Sequence, residues 1–158
     1  MKYTRLTKEQ LEEMHEEFIR FLASQAIDAK EWEELKTHKP DVAEEEIDVF
    51  SDLVWENVLN KVEYLEHFSP QHLYLFKIGS EHISLIGIKL DNETINLATR
   101  DGYAWLQKHL LDEEVTLYTS TKAMTDDRNQ DVFALIKQGA NITKGELYRY
   151  FEKVVNPQ

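Results

Sequence analysis

The side chains best suited to chemistry in this sequence gather between residues 63 and 82: Glu63, Glu66, His67, His72 and His82. Imidazole and carboxylate together make a donor set that suits zinc or iron. Glu63 and His67 stand at i, i+4, the spacing of one helix face, and a turn at Pro70 would bring His72 back to them as a third ligand. His82 does not join them. In the hairpin described below, His72 and His82 lie on opposite faces, roughly 15 Å or more apart along the strand. A di-iron bundle needs two E-x-x-H pairs, and the one pair present is Glu12-x-x-His15, where His15 sits at the edge of an apolar stripe and reads as a boundary residue. No metal or other cofactor is predicted.

A second group lies between a strand and a helix: Tyr118, Ser120, Lys122, Asp126, Asp127, Arg128 and Asn129. Strand-to-helix loops are where α/β proteins often build sites, and a lysine among carboxylates is equipped for acid–base work. A small enzyme or ligand-binding domain using Tyr118, Lys122, Asp126 and Arg128 is therefore one functional reading. Against it, no histidine stands nearby, and paired aspartates at a helix start are explained by capping and by the helix dipole. Other chemistries lack their residues. The chain has no G-x-G-x-x-G and no G-x-x-x-x-G-K-[ST] phosphate cradle, no G-x-S-x-G nucleophile elbow, and no cysteine for a thiol nucleophile, a disulfide or a zinc–thiolate site.

The elements that would position these groups follow from periodicity. Thr7-Lys8-Glu9-Gln10 matches a capping box, and Leu11, Met14, Phe18, Phe21, Leu22 and Gln25 recur at helical spacing, predicting one helix to about Ala26. Asp28 with Glu31 opens a second helix through Trp32 and Leu35 that His38-Lys39-Pro40 ends. A third runs from about Pro40 or Asp41 to Glu66, with Ala43, Ile47, Phe50, Val54, Val58, Val62 and Leu65 as its core stripe. Val42, Val49, Leu53 and Tyr64 widen that stripe on one flank, while Glu45, Asp48, Asp52, Glu56, Glu63 and Glu66 form an acidic arc.

From Pro70 onward the pattern alternates instead. Residues 72–78 and 81–90 flank Gly79-Ser80, a Gly-X pair suited to a type II′ hairpin turn in which Ile78 would pair with Glu81. Tyr74, Phe76, Ile78, Ile83 and Leu85 then share one face, and Leu73, Leu75, Ile86 and Ile88 the other. Ile95 and Leu97 predict a short strand, residues 101–111 a helix, 115–120 a strand, and 127–138 a helix that Gly139 ends in the left-handed C′ position. Thr143-Lys144-Gly145-Glu146 reads as the capping box of a last helix. The fold class is α+β: an N-terminal layer of three helices on a small, mainly antiparallel sheet with further helices, in a single domain over residues 1–158.

Charge limits the partners. Residues 1–70 carry 18 acidic and 8 basic side chains within a chain of net charge −12, so general binding to nucleic acid or to an anionic membrane surface is disfavoured. No stretch approaches 18 apolar residues, and a soluble, cytoplasmic protein is expected.

Tyr3-Thr4-Arg5-Leu6-Thr7, Phe50-Ser51-Asp52-Leu53-Val54-Trp55, Tyr64-Leu65-Glu66-His67, and Gln138-Gly139-Ala140 leading to Thr143-Lys144-Gly145-Glu146-Leu147-Tyr148 together resemble an uncharacterised family of small acidic bacterial proteins. The resemblance spans nearly the whole chain. It implies a bacterial cytoplasmic setting and a stand-alone domain, and it brings no active site with it.

The functional expectation is a non-enzymatic protein-interaction module whose acidic helical half meets a basic or mixed-charge partner; homo-oligomers are also compatible. Its contact residues are Asp48, Asp52, Trp55, Glu56, Leu59 and Glu63, because Leu59 interrupts the acidic arc beside Trp55 in the manner of an apolar anchor within a charged rim. A nucleic-acid-mimicking decoy is a further alternative, weakened by acidity that is confined to one half.

Overall fold

Four of the helices start at a polar side chain that accepts an otherwise unbonded N–H. In the computed structural model, which describes residues 1–157, Thr7 opens α1 (Lys8–Glu13) with a complete capping box: its Oγ1 accepts Gln10 N–H at 3.2 Å while Gln10 Oε1 accepts Thr7 N–H at 2.9 Å. The expected single helix is broken at Met14, after which α2 runs His15–Ser24. Spacing hides the break because Leu11, Met14 and Phe18 keep helical intervals across it. Asp28 caps α3 (Ala29–His38) by accepting Glu31 N–H at 2.8 Å, and Pro40, which lacks the N–H that a first helical residue leaves unbonded, begins α4 (Pro40–Asn60).

These four helices belong to one unit, Met1–Asn60. Its core is an aromatic cluster. The Phe18 ring stands 5.0 Å from Phe50 and 5.2 Å, edge-on, from Trp32, and Phe21 lies 5.4 Å from Phe50; Leu6 and Leu22 complete the buried set.

The second unit begins at Lys61, and here the third predicted helix is corrected. Residues 64–68 are not helical but form β1 (Tyr64–Phe68), paired on one side with β2 (His72–Ile78) and on the other with β5 (Asn141–Thr143). The stretch Val62-Glu63-Tyr64-Leu65-Glu66 satisfies helical spacing and alternation alike, and pairing on both edges decides for the strand. With β3 (His82–Leu90) and β4 (Val115–Ala123), the strand order is β4-β3-β2-β1-β5, antiparallel throughout. Among the described residues the chain has seven helices and this one sheet, an α+β fold.

The hairpin register is Ile78 against Ile83. The turn is Ser80-Glu81, closed by Gly79 N–H to His82 C=O at 2.9 Å, one residue beyond the predicted Gly79-Ser80. Because pairing shifts by an even number of residues, every side chain keeps its predicted face. Ile95 and Leu97 form no strand. Asn92 and Asn96 side chains accept the N–H groups of Thr94 and Ala98 at 2.9 Å each, local bonds that compete with a ladder. Leu97 is nonetheless buried, its N–H on Pro70 C=O at 2.8 Å.

One face of the sheet carries Leu73, Leu75, Ile86, Ile88 and Leu90, which pack with Leu106 of α5 (Arg100–Lys108) and with Tyr148 and Phe151 of α7 (Glu146–Val155). The helix α6 (Arg128–Lys137) ends in a Schellman motif: Gly139, at φ 117°, bonds Ile136 C=O, and Ala140 bonds Leu135 C=O at 3.1 Å. The predicted cap at Thr143 is corrected. Thr143 pairs with Tyr64 in the sheet, and Gly145, at φ 84°, caps α7 while its N–H donates to Thr143 Oγ1 at 3.2 Å.

The two left-handed helix ends give opposite tests. Ala26 takes φ 60° at the C′ position of α2 with the same bond pattern, Ala26 N–H to Ala23 C=O and Ile27 N–H to Leu22 C=O. Ala26→Gly is expected to raise stability by about 1 kcal/mol, since the left-handed region costs an L-residue about that much. Gly139→Ala is expected to lower it by about 1–3 kcal/mol, its added Cβ also meeting His67 Nε2 at 2.9 Å. Urea denaturation of both variants checks the signs.

Candidate functional site

The acidic arc of α4 is occupied by the chain's own beginning. Asp52 accepts two successive backbone N–H groups, Lys2 on Oδ2 at 2.7 Å and Tyr3 on Oδ1 at 2.9 Å. The Tyr3 hydroxyl donates to Glu56 at 2.5 Å, with Lys2 Nζ 3.5 Å from the same oxygen. Arg5 Nε donates to Asp48 Oδ1 at 2.6 Å. One turn further round the helix, Ser51 Oγ accepts Leu6 N–H at 3.0 Å and donates to Ile47 C=O at 2.7 Å. The result is an extended segment lying along one flank of α4, pinned at its inner end by buried Leu6.

The electrostatics follow from these partners. Burial, and after it the Glu56 carboxylate, pushes the Tyr3 phenol up to about 12. The Arg5 guanidinium holds the Asp48 carboxyl below the usual carboxylate range, and Asp48 in turn raises Arg5. Of the expected partner face, the exposure of Leu59 and the helical position of Glu63 are corrected. Asp48, Asp52 and Glu56 do share a flank, but they hold residues 2–5. Trp55 is half-buried against the aromatic cluster. Leu59, the expected exposed anchor, is 0 % exposed. Glu63 lies beyond the end of α4, in the link to β1, where its C=O accepts Ile78 N–H at 2.8 Å.

The neighbouring flank is open. Val42, Val49 and Leu53, placed by the sequence in the widened core, are 38 %, 50 % and 49 % exposed. At about 100° per residue they fall within about 40° of one another. Beside Leu53 runs a groove of about 440 Å³ between α2 and α4, lined by Met14, Phe21, Phe50, Val54 and Val58 with Glu17, Arg20 and Asn57 at its rim. Sequence reasoning missed this row. The available signal was area: core stripe, apolar flank and Leu59 together exceed what three short helices can cover on one long helix.

The loop group does not converge. Tyr118 and Lys122 are strand residues on one sheet face, four positions apart, roughly 13 Å. Burial, then Tyr74, raises the Tyr118 phenol above its ordinary value. Asp126 is exposed, and Arg128 donates to Val62 C=O at 2.5 Å and to Asn129 Oδ1 at 3.0 Å, binding α6 to the segment before β1. Asp127 caps α6 through Gln130 N–H, and Asp131 accepts Thr125 N–H at 2.8 Å. These are bonds of loop and helix ends.

The metal-type group is divided by the sheet. Glu66 and His67, adjacent in β1, face opposite sides, and burial pushes the Glu66 carboxyl up. His72 shares a face with Tyr74, its ring stacked on the tyrosine at 5.5 Å, while His82 lies on the other face. Among the described residues no three histidines or carboxylates are placed to hold one ion, and no helix is long and apolar enough to cross a membrane.

The chain belongs to a family of unknown function, DUF6495, whose model matches residues 1–156. No curated protein and no solved structure matches it significantly.

Two outcomes test this site. Leu59→Ala is expected to cost about 2–5 kcal/mol, the range for truncating a fully buried leucine, in urea denaturation. The Tyr3 phenol is neutral in the folded chain up to about 12 against an ordinary value near 10. Its contribution to stability is therefore complete below about pH 10, where the unfolded chain is also neutral, and is lost as pH rises toward 12. In unfolding measured across that window, Tyr3→Phe should show a shallower decline than the wild type.

Proposed function

We propose that this member of the family is a non-enzymatic protein-interaction module that receives an amphipathic helix of another protein on the open flank of α4. The observation that carries the reading is the row Val42, Val49 and Leu53, apolar side chains left in water on a helix whose acidic flank is already covered. An apolar stripe beside a shallow groove suits the helix-in-groove mode, in which anchors at helical spacing seat in succession. Charge selects the partner. Residues 1–60 hold 16 acidic and 7 basic side chains, so a net charge of −9 repels a second copy of the same surface and favours a helix whose apolar face has basic flanks.

The expectation of a basic or mixed-charge partner is kept, and the contact residues move from the acidic arc to the neighbouring apolar row. The reading rests on this row and not on the loop at residues 118–129, and three carboxylates of the acidic arc, Asp48, Asp52 and Glu56, are already engaged by residues 2–5.

The double variant Val49→Glu/Leu53→Glu tests the proposal, because both side chains are about half exposed and their replacement leaves the core intact. A partner captured by the wild-type chain and identified by mass spectrometry should, once purified, bind the variant at least about tenfold more weakly, with an unchanged thermal midpoint. Sedimentation of the isolated wild type should give a monomer. Equal binding of wild type and variant, or a dimer that the variant dissociates, would overturn it.

A further inference from the structure

The sheet has one face filled by α5 and α7 and another that helix α6 covers only in part. On this second face the register places His67, Tyr74, Gly87 and Tyr118 side by side across β1 to β4, and His72, Lys89 and Thr116 in the next row. Three of the rings are in contact: His72 lies parallel to Tyr74, 5.5 Å away at 5°, and His67 stands 5.8 Å from the same tyrosine. Gly87 makes room for the fourth. A Cβ at that position would fall 2.0 Å from Tyr118 Cζ, so the absence of a side chain lets the phenol ring lie flat over the strand. Tyr118 remains 37 % exposed and Lys89 is exposed.

The charge on this face is unlike the rest of the chain. In a protein with 30 acidic residues, the five strands contain a single carboxylate, Glu66, which points to the other face. What remains here is Lys89, Lys122 and two histidines among aromatic rings. Helix α6 lies over the rows beyond, leaving a hollow of about 290 Å³ lined by Phe76, Leu85, Ser120, Lys122 and Leu135 next to the ring platform, with Asp131, which accepts the Thr125 N–H and hydroxyl, as its one carboxylate.

From this juxtaposition we infer that the half-covered sheet face binds a mononucleotide, its base stacked on Tyr74 and Tyr118 and its phosphate held at Lys89 and His72. The half-buried Tyr74 ring and the exposed Tyr118 ring beside it offer a sequence-tolerant stacking surface for a nucleobase. A lysine one row along, two residues or roughly 7 Å away, stands about where a 5′-phosphate falls relative to its base. Ammonium and imidazole donors on a face whose strands carry no carboxylate complement that phosphate. Size is limited by the field of the whole molecule: a net charge of −12 opposes a strand of many phosphates and tolerates one. This inference is independent of the protein-interaction reading, since it uses residues of the second unit only.

Calorimetric titration of the full chain with AMP, UMP, adenosine and inorganic phosphate tests it. At least one of the two nucleotides should bind saturably in the sub-millimolar range, with adenosine and phosphate each at least about tenfold weaker. Tyr118→Ala and Lys89→Ala should each weaken the nucleotide at least about tenfold. Lys89, exposed and free of any ion pair among the described residues, gives this readout without risk to the fold. No saturable heat with either nucleotide at millimolar concentration would overturn the inference, as would binding that survives both substitutions. So would a single-stranded oligonucleotide that binds more than about tenfold tighter than the mononucleotide.

Discussion

A carboxylate that accepts two successive backbone N–H groups fixes a segment of chain in both register and direction, and Asp52 does this for Lys2 and Tyr3. The surface of the first unit depends on that arrangement. Arg5 with Asp48 and Lys2 with Glu56 are exposed ion pairs, individually weak and screened by salt. Their effect is to align the segment that buried Leu6 and the hydroxyl of Ser51 anchor. With one flank of α4 closed in this way, the helix turns its other flank outward, and three aliphatic side chains that would ordinarily be core are left in water. The proposed partner surface is a consequence of intramolecular capture.

In the second unit the organising constraint is a missing side chain. Gly87 lies at the centre of the sheet between Tyr74 and Tyr118, and any Cβ there would occupy the space of the Tyr118 ring. The strand thus trades its own packing for an aromatic platform on the face that α6 leaves half-open. The opposite face shows ordinary core logic, a continuous aliphatic layer sealed by Leu106, Tyr148 and Phe151. The same sheet therefore has one face devoted to stability and one whose rings and lysines the core does not use.

What the sequence makes legible is local. Thr7, Asp28 and Asp127 cap the helices they were expected to cap, Gly139 takes a positive φ, and the faces of the hairpin are correct despite a register error of two residues, because parity and not register decides which way a side chain points. The failures arise where a neighbour distant in sequence decides. Residues 64–68 fit either period, and β2 and β5 choose the strand. Thr143 has the right spacing for a capping box yet is taken by pairing with Tyr64. Leu59 and Leu53 exchange roles. The helical wheel tells which residues share a flank, but only residues 2–6, some 43 to 53 positions away, determine which flank is covered. The aromatic row of His67, Tyr74 and Tyr118 was likewise invisible until strand order brought three separate segments together.

Helix α4 is covered on its Asp48–Asp52–Glu56 flank and open on its Val42–Val49–Leu53 flank. Hydroxyl-radical footprinting of the intact chain reads the exposure of each aliphatic side chain on that one helix, with Leu53 and Leu59 as chemically identical probes at its two flanks. Strong labelling of Leu53 and Val49 with Leu59 protected is the expected result, in line with exposures of 49 %, 50 % and 0 %. Protection of Leu53 with labelling of Leu59 would contradict it.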